Sequence, residues 1–134
     1  MLFGNAEIYT KDAKSLLTKA SGFINAYDFT LNSYQGCQYG CSYCYAAAFS
    51  PNQKLRKEWG NWVIIKQNAV ELLKIELERW KRICMSSVTD PYQAIESKQK
   101  LTRQLLQPCS IKFTTTRVQG AAPQWVLYSD LWRV

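Results

Sequence analysis

Apolar and polar positions change rhythm several times along this chain, and each change marks an element. Ala26-Tyr27-Asp28-Phe29-Thr30-Leu31 alternates and carries aromatic residues, the period-two pattern of a strand. Tyr45-Ala46-Ala47-Ala48-Phe49 favours a helical turn that Ser50-Pro51-Asn52 ends. Trp62-Val63-Ile64-Ile65-Lys66 is a short, β-branched apolar run, read as extended. From Ala69 to about Trp80 the period lengthens to that of a helix, with Val70, Leu73, Leu77 and Trp80 on one face. Glu71, Lys74, Glu78 and Arg82 fall on another face, Glu78 and Arg82 at ion-pair spacing, and Asn68 with Glu71 resembles a capping box.

Ile83-Cys84-Met85-Ser86-Ser87-Val88 reads as a second strand, apolar enough to be buried and therefore parallel. Thr89-Asp90-Pro91-Tyr92-Gln93 makes a polar turn at its carboxyl end, where α/β sheets bind ligands. A second helix is expected from about Ser97 to Leu106, with Leu101 and Leu105 inward, and a third strand over Ser110 to Thr115. This order implies an α/β fold of parallel strands with helical crossovers. Residues 1–25 read as a polar leader with a short amphipathic piece, Ala13 to Ala20, and residues 26–117 as the core. The pattern fails in the end, 118–134, where Val118-Gln119-Gly120-Ala121-Ala122-Pro123 is loop-like.

At 134 residues, 47% apolar and 13% aromatic, the chain is expected to fold as one domain. It has no apolar run of the roughly 18 residues a membrane span needs, and its start lacks the regions of a signal peptide. A cytoplasmic, reducing compartment follows as the expectation, in which clustered cysteines bind metal more often than they form disulfides. The chain contains no histidine, which removes His-based triads, Cys2His2 zinc sites and imidazole bases. Its net charge of +7 is compatible with nucleic acid or an anionic cofactor, although lysines and arginines spread along the chain read first as a solvated surface.

The chemistry concentrates in Cys37, Cys41 and Cys44, spaced C-x3-C-x2-C in one short loop whose Gly36 and Gly40 permit tight backbone. Zinc wants four ligands and its motifs use a second cysteine pair, which the isolated Cys84 and Cys109 do not supply. A plain ferredoxin site also needs a fourth ligand. Three thiolates best match a 4Fe–4S cluster with one iron left open for another ligand. Cys84 is expected to pack within its strand, and Cys109 reads as a loop thiol. Tyr39, Tyr45 and Tyr92 read as core or lid aromatics.

The stretch from Asn32-Ser33-Tyr34-Gln35-Gly36-Cys37 through Cys44-Tyr45-Ala46 resembles the cluster loop of the radical S-adenosylmethionine superfamily. Lys14-Ser15-Leu16-Leu17-Thr18, Lys66-Gln67-Asn68 before Glu71-Leu72-Leu73, Ser87 to Glu96 and Leu101-Thr102-Arg103 narrow the resemblance to the subgroup related to spore photoproduct lyase. It covers roughly Lys14 to Arg117. The resemblance implies the N-terminal portion of a partial (βα) TIM-like barrel, cut short before the barrel is complete. It implies a 4Fe–4S cluster on Cys37, Cys41 and Cys44, with S-adenosylmethionine on the open iron. An electron from the reduced cluster would cleave the cofactor to a 5′-deoxyadenosyl radical that abstracts hydrogen from an unidentified substrate. Tyr43 is a candidate for the adenine side, and Thr89 and Asp90 for polar contacts to S-adenosylmethionine, although an aspartate before Pro91 also initiates turns. A flavodoxin- or ferredoxin-like electron donor would be the partner, with DNA a further possible one. The competing expectations are an inactive remnant that binds only a cluster or zinc, and a basic nucleic-acid-binding module.

Overall fold

A hairpin and a parallel strand pair open the molecule. The computed structural model describes residues 1–22, 25–111 and 115–118. Strands β1 (Leu2–Phe3) and β2 (Ala6–Lys11) turn back on each other, and β2 buries Ala6 and Ile8 while its last residues face solvent. The segment expected as a polar leader therefore supplies sheet structure, with β2 lying between β1 and the buried β6 and burying only two side chains of its own. Strand β3 (Leu17–Lys19) follows and pairs antiparallel with β4 (Phe29–Leu31). The carboxylate of Glu76 accepts the N–H groups of Leu16 at 3.0 Å and Leu17 at 2.9 Å, which anchors the amphipathic piece where β3 begins.

Strand β5 (Tyr34–Gln35) leads into the cysteine loop, which ends in a 3₁₀ turn over Tyr45–Phe49. Helix α1 (Gln53–Lys57) comes next, its N-terminus capped by Asn52, whose side chain accepts the N–H of Leu55 at 2.9 Å. Strand β6 (Trp62–Lys66) is buried along Trp62 to Ile65 because it is central: β2 pairs with it in parallel and β5 antiparallel. Helix α2 (Ala69–Glu76) buries Ala69 and Leu73 and stops earlier than the periodicity predicts. Leu77 is still buried, but Trp80 is 73% exposed with φ of 64°. The capping box does not form either. Asn68 instead clasps the Ala13 backbone, accepting its N–H at 2.8 Å and donating to its carbonyl at 2.9 Å. With the helix ended, Glu78 pairs with Lys81 at 3.5 Å and Arg82 with Asp28 at 3.4 Å, in place of the expected Glu78–Arg82 pair.

Strand β7 (Arg82–Met85) lies parallel to β4, as its apolar character requires. Helices α3 (Glu96–Gln99) and α4 (Leu101–Ile111) are separated by Lys100 in a left-handed conformation at φ of 52°. Leu101 and Leu105 are buried as expected. Helix α4 runs past the expected stop and through Pro108, so Cys109 is a buried helix residue rather than a loop thiol. Strand β8 (Thr115–Val118) follows, parallel to β7 and later than the expected Ser110 to Thr115. The rest of the divergent end, 119–134, lies outside the described residues.

Two four-stranded sheets result, ordered β1-β2-β6-β5 and β3-β4-β7-β8. The expected parallel strands with crossovers are found in β4, β7 and β8, whereas the Trp62 strand joins the other sheet beside β2. The core gathers Leu31, Ile83 and Met85 with Leu73, Ile95 and Leu105. Truncating Leu73, fully buried there, is worth about 2–5 kcal/mol by the usual cavity cost. Among the described residues no helix is long and apolar enough to cross a membrane.

Candidate functional site: the cysteine loop and its clasp

The cysteine loop starts where β5 ends, and glycine fixes its path. Gly36 sits at φ of +87°, and a Cβ there would stand 2.7 Å from the Trp62 ring and the Trp62 carbonyl. Gly40, at φ of +58°, lies so close to Gly60 that a Cβ would come within 2.8 Å of the Gly60 Cα. The loop is thus pressed onto the chain entering β6, in a conformation only glycine adopts without strain. At its far end the Cys44 N–H donates to the Cys41 carbonyl at 3.1 Å, and the Cys44 carbonyl accepts from Ala47, starting the 3₁₀ turn.

The polar turn after β7 holds this loop by its backbone. Gln93, 1% exposed, accepts the Gln38 N–H on Oε1 at 2.9 Å and donates from Nε2 to the Gly36 carbonyl at 3.3 Å. Both peptide groups flanking Cys37 are therefore held by one side chain. Thr89 adds a donation from its hydroxyl to the Gly36 carbonyl and accepts from Gln93 Nε2 at 3.0 Å. Gln38 returns the grip, its Oε1 accepting the Ile95 N–H at 2.7 Å and its Nε2 donating to the Phe3 carbonyl at 3.0 Å.

A second buried network lies beneath the clasp. Glu96, 2% exposed, accepts the Tyr34 hydroxyl together with the N–H groups of Thr102 at 3.1 Å and Arg103 at 3.3 Å. Those amides open α4, so Glu96 works as its N-terminal cap from a neighbouring turn. The Thr102 hydroxyl lies 3.1 Å from the Ser33 hydroxyl and donates to the Pro91 carbonyl at 2.8 Å. The residues just before and just after the clasp are thereby locked together.

Of the three cysteines, Cys37 is buried and Cys41 and Cys44 are half-buried, and none of the chain's five is in a disulfide. Burial pushes the Cys37 thiol up, while the backbone N–H groups of Tyr39 and Asp90 act on its sulfur in the opposite sense; the nearby Asp90 and Cys44 raise it further. Among the described residues no three Cys, Asp or Glu side chains are gathered closely enough to hold a metal ion. The donor chemistry at the loop is three thiols, with backbone N–H groups at the sulfur of the most buried one; such hydrogen bonds tune thiolates where a cluster is bound.

The residues expected to contact S-adenosylmethionine divide. Tyr43 is 88% exposed beside Cys41, whose hydrogen bond and charge raise the tyrosine's pKa. Asp90 is buried, and its Oδ1 accepts the Tyr92 N–H at 2.8 Å, the turn-initiating role open to an aspartate before proline. Thr89 spends its hydroxyl on the clasp. Tyr92 is buried and pushed up to about 12 by burial, Glu96 and Asp90. Tyr39 and Tyr45 reach across to the same segment, donating to the carbonyls of Tyr92, at 3.2 Å, and of Ser87. Cys84 packs in β7 as expected. Sequence reasoning read Gln93 only as part of the polar turn and did not single out Gln38; side chains that serve mainly backbone groups leave no periodic signal.

Comparison with known proteins places the chain beside longer ones. It is similar to an uncharacterized protein of Methanocaldococcus jannaschii, 44% identical over 79 residues, which make up 59% of this chain and 30% of that protein. It is also similar to uncharacterized proteins of Mycobacterium tuberculosis and Mycobacterium bovis, each 30% identical over 105 residues, 71% of this chain and 29% of theirs. The chain spans less than a third of the length of these relatives. No family model matches the chain, and no solved structure matches it.

Proposed function

We propose that this chain is the N-terminal, cluster-bearing portion of a radical S-adenosylmethionine protein of the subgroup related to spore photoproduct lyase. Cys37, Cys41 and Cys44 would be the thiolate ligands of a 4Fe–4S cluster. The observation that carries this reading is the clasp on Cys37, in which Gln93 holds the Gly36 carbonyl and the Gln38 N–H on either side of it. The clasp meets the need of buried backbone groups for partners, and in this reading it also holds the loop that presents the thiolates in a fixed arrangement.

Bound there, a reduced cluster with one open iron would supply the electron for reductive cleavage of S-adenosylmethionine, and so the radical for hydrogen abstraction. The chain's own residues orient and shield. Gly36 and Gly40 set the loop path against β6, and the N–H groups of Tyr39 and Asp90 favour the thiolate at Cys37. Tyr43, exposed beside Cys41, would lie against a cofactor at the loop's exposed edge. Thr89 and Asp90 support that site through the loop backbone and the turn after β7. The parallel run β4-β7-β8 serves in this reading as the first strands of a partial barrel, and the longer relatives have the length to complete it. A cytoplasmic location and a flavodoxin- or ferredoxin-like electron donor belong to the same proposal.

The test is anaerobic iron–sulfide reconstitution, reduction, and chromatographic detection of 5′-deoxyadenosine from S-adenosylmethionine. Cleavage by the wild type and its loss in Cys41→Ala are expected; full cleavage by Cys41→Ala would sink the reading.

A further inference from the structure

On the flank of the loop lies a cleft of about 500 Å³ that none of Cys37, Cys41, Cys44, Tyr43, Thr89 or Asp90 lines. Its cationic wall comes from two parallel strands that end alike. Lys11 closes β2 and Lys66 closes β6, and the two are register partners in the ladder. Parallel register partners project to the same face, and the carboxyl ends of parallel strands are where open α/β sheets receive ligands. Lys14 lines the cleft as well.

Among the described residues none of these ammonium groups forms an ion pair with a carboxylate. Lys66 Nζ donates to the Asn32 carbonyl at 3.0 Å, and Lys11 Nζ to Gln35 Oε1 at 2.8 Å. Asp12, the acid lining the cleft, accepts from Gln67 at 3.0 Å. Burial, reinforced by the Lys11 charge, lowers Lys66 from 10.5 to about 8. Lys11 is exposed and Lys66 half-buried, so two like charges stand side by side at a strand end with no ion-pairing partner among the described residues. Phe49, an exposed ring, and the half-buried Trp59 line the same cleft, and Trp59 has a buried indole N–H without an acceptor.

We propose that this cleft binds a phosphorylated small molecule of nucleoside monophosphate size, with its phosphate at Lys11 and Lys66 and its flat portion against Phe49 and Trp59. A dianionic group answers two ammonium ions, and lysine binds phosphate as a point charge where planar carboxylate recognition favours arginine. The cleft's volume suits a mononucleotide rather than a polymer. The inference stands on the cleft alone and holds whether or not the cysteine loop carries a cluster.

The test is isothermal calorimetry of the full chain with AMP, adenosine, inorganic pyrophosphate and a single-stranded oligonucleotide. AMP and pyrophosphate are expected to bind with an affinity that falls as salt is raised, and adenosine to bind at least about tenfold more weakly than AMP. Lys66→Met should weaken AMP binding by about tenfold or more, Lys66→Arg should restore part of it, and Lys54→Met, on the exposed face of α1, should leave it unchanged. If Lys66→Met does not give a cooperative thermal melt, Lys11→Met is read in its place with the same expected loss. The proposal is overturned if AMP does not bind at millimolar concentration, if adenosine binds as tightly, if the folded lysine variant binds AMP like the wild type, or if only the oligonucleotide binds.

Discussion

Gln93 grips Gln38 by its backbone, its Oε1 taking the Gln38 N–H at 2.9 Å while its Nε2 reaches the Gly36 carbonyl on the other side of Cys37. The two residues are 55 positions apart, so the turn after β7 and the cysteine loop are one structural unit. Replacing Gln93 with leucine leaves the Gln38 N–H buried without an acceptor. Each unsatisfied buried group costs about 1–3 kcal/mol, so Gln93→Leu should lower stability by roughly 2–4 kcal/mol in chemical denaturation. It should also lower iron retained after reconstitution. Equal stability and equal iron in the variant would show that the clasp does not hold the loop.

Gly36 and Gly22 provide an internal comparison of strain against crowding. Both have positive φ, +87° and +65°, but a Cβ at Gly36 meets Trp62 at 2.7 Å while one at Gly22 meets nothing within 4 Å. Gly22→Ala should cost about 1–2 kcal/mol, the left-handed penalty by itself. Gly36→Ala should cost more, about 3 kcal/mol or beyond, because Trp62 lies in the fully buried part of β6. Denaturation midpoints of the two variants check the order.

Thiol accessibility follows burial. Cys41 and Cys44 are half-buried, whereas Cys37, Cys84 and Cys109 are 8%, 0% and 2% exposed. Alkylation of the metal-free chain at neutral pH, followed by peptide mass mapping, should modify Cys41 and Cys44 before the other three. Burial also holds Cys37 in the unreactive thiol form. Early labelling of Cys84 would contradict the packing of β7.

Much of the frame was legible in the chain because it rests on periodicity. The strands at Phe29, Trp62 and Ile83 and the helices that bury Leu73 and Leu105 lie where the apolar spacing puts them. The amino-terminal strands were not legible, since β2 buries only Ala6 and Ile8 and β3 is tied down by Glu76 from a distant helix. The missed partition into two sheets has the same cause: pairing of β6 with β2 is a long-range choice that no local pattern encodes. At the site, the cysteine spacing was readable and the clasp was not. Thr89 and Asp90 stand out as polar residues at a strand end, yet whether they face a ligand or the loop backbone depends on Gly36 and Tyr92, to which they bond.

Lys66 predicts a pH dependence with a definite sign. Its folded pKa is depressed from 10.5 to about 8 by burial and by Lys11, with Lys14 and Asp12 the other charged groups lining its cleft. Between those values the unfolded chain binds the extra proton, so this group's contribution to stability rises with pH from about 8 to about 10.5. Below pH 8 the folded state carries the cost of a partly desolvated cation. Lys66→Met removes that cost, so its stability advantage over wild type should be largest near pH 7 and shrink by pH 9.5. Measuring the difference between the two proteins cancels other titrating groups, Cys37 and the tyrosines included. An advantage that is flat with pH would contradict the charged, half-buried state of Lys66.

The central claim, that Cys37, Cys41 and Cys44 hold a 4Fe–4S cluster with one iron left open, is tested most directly by Mössbauer spectroscopy of the chain reconstituted with ⁵⁷Fe. The account predicts a 4Fe–4S spectrum in which a single iron shifts when S-adenosylmethionine is added, and loss of that spectrum in Cys41→Ala. Stoichiometric zinc in place of iron, or a cluster spectrum indifferent to S-adenosylmethionine, would contradict it.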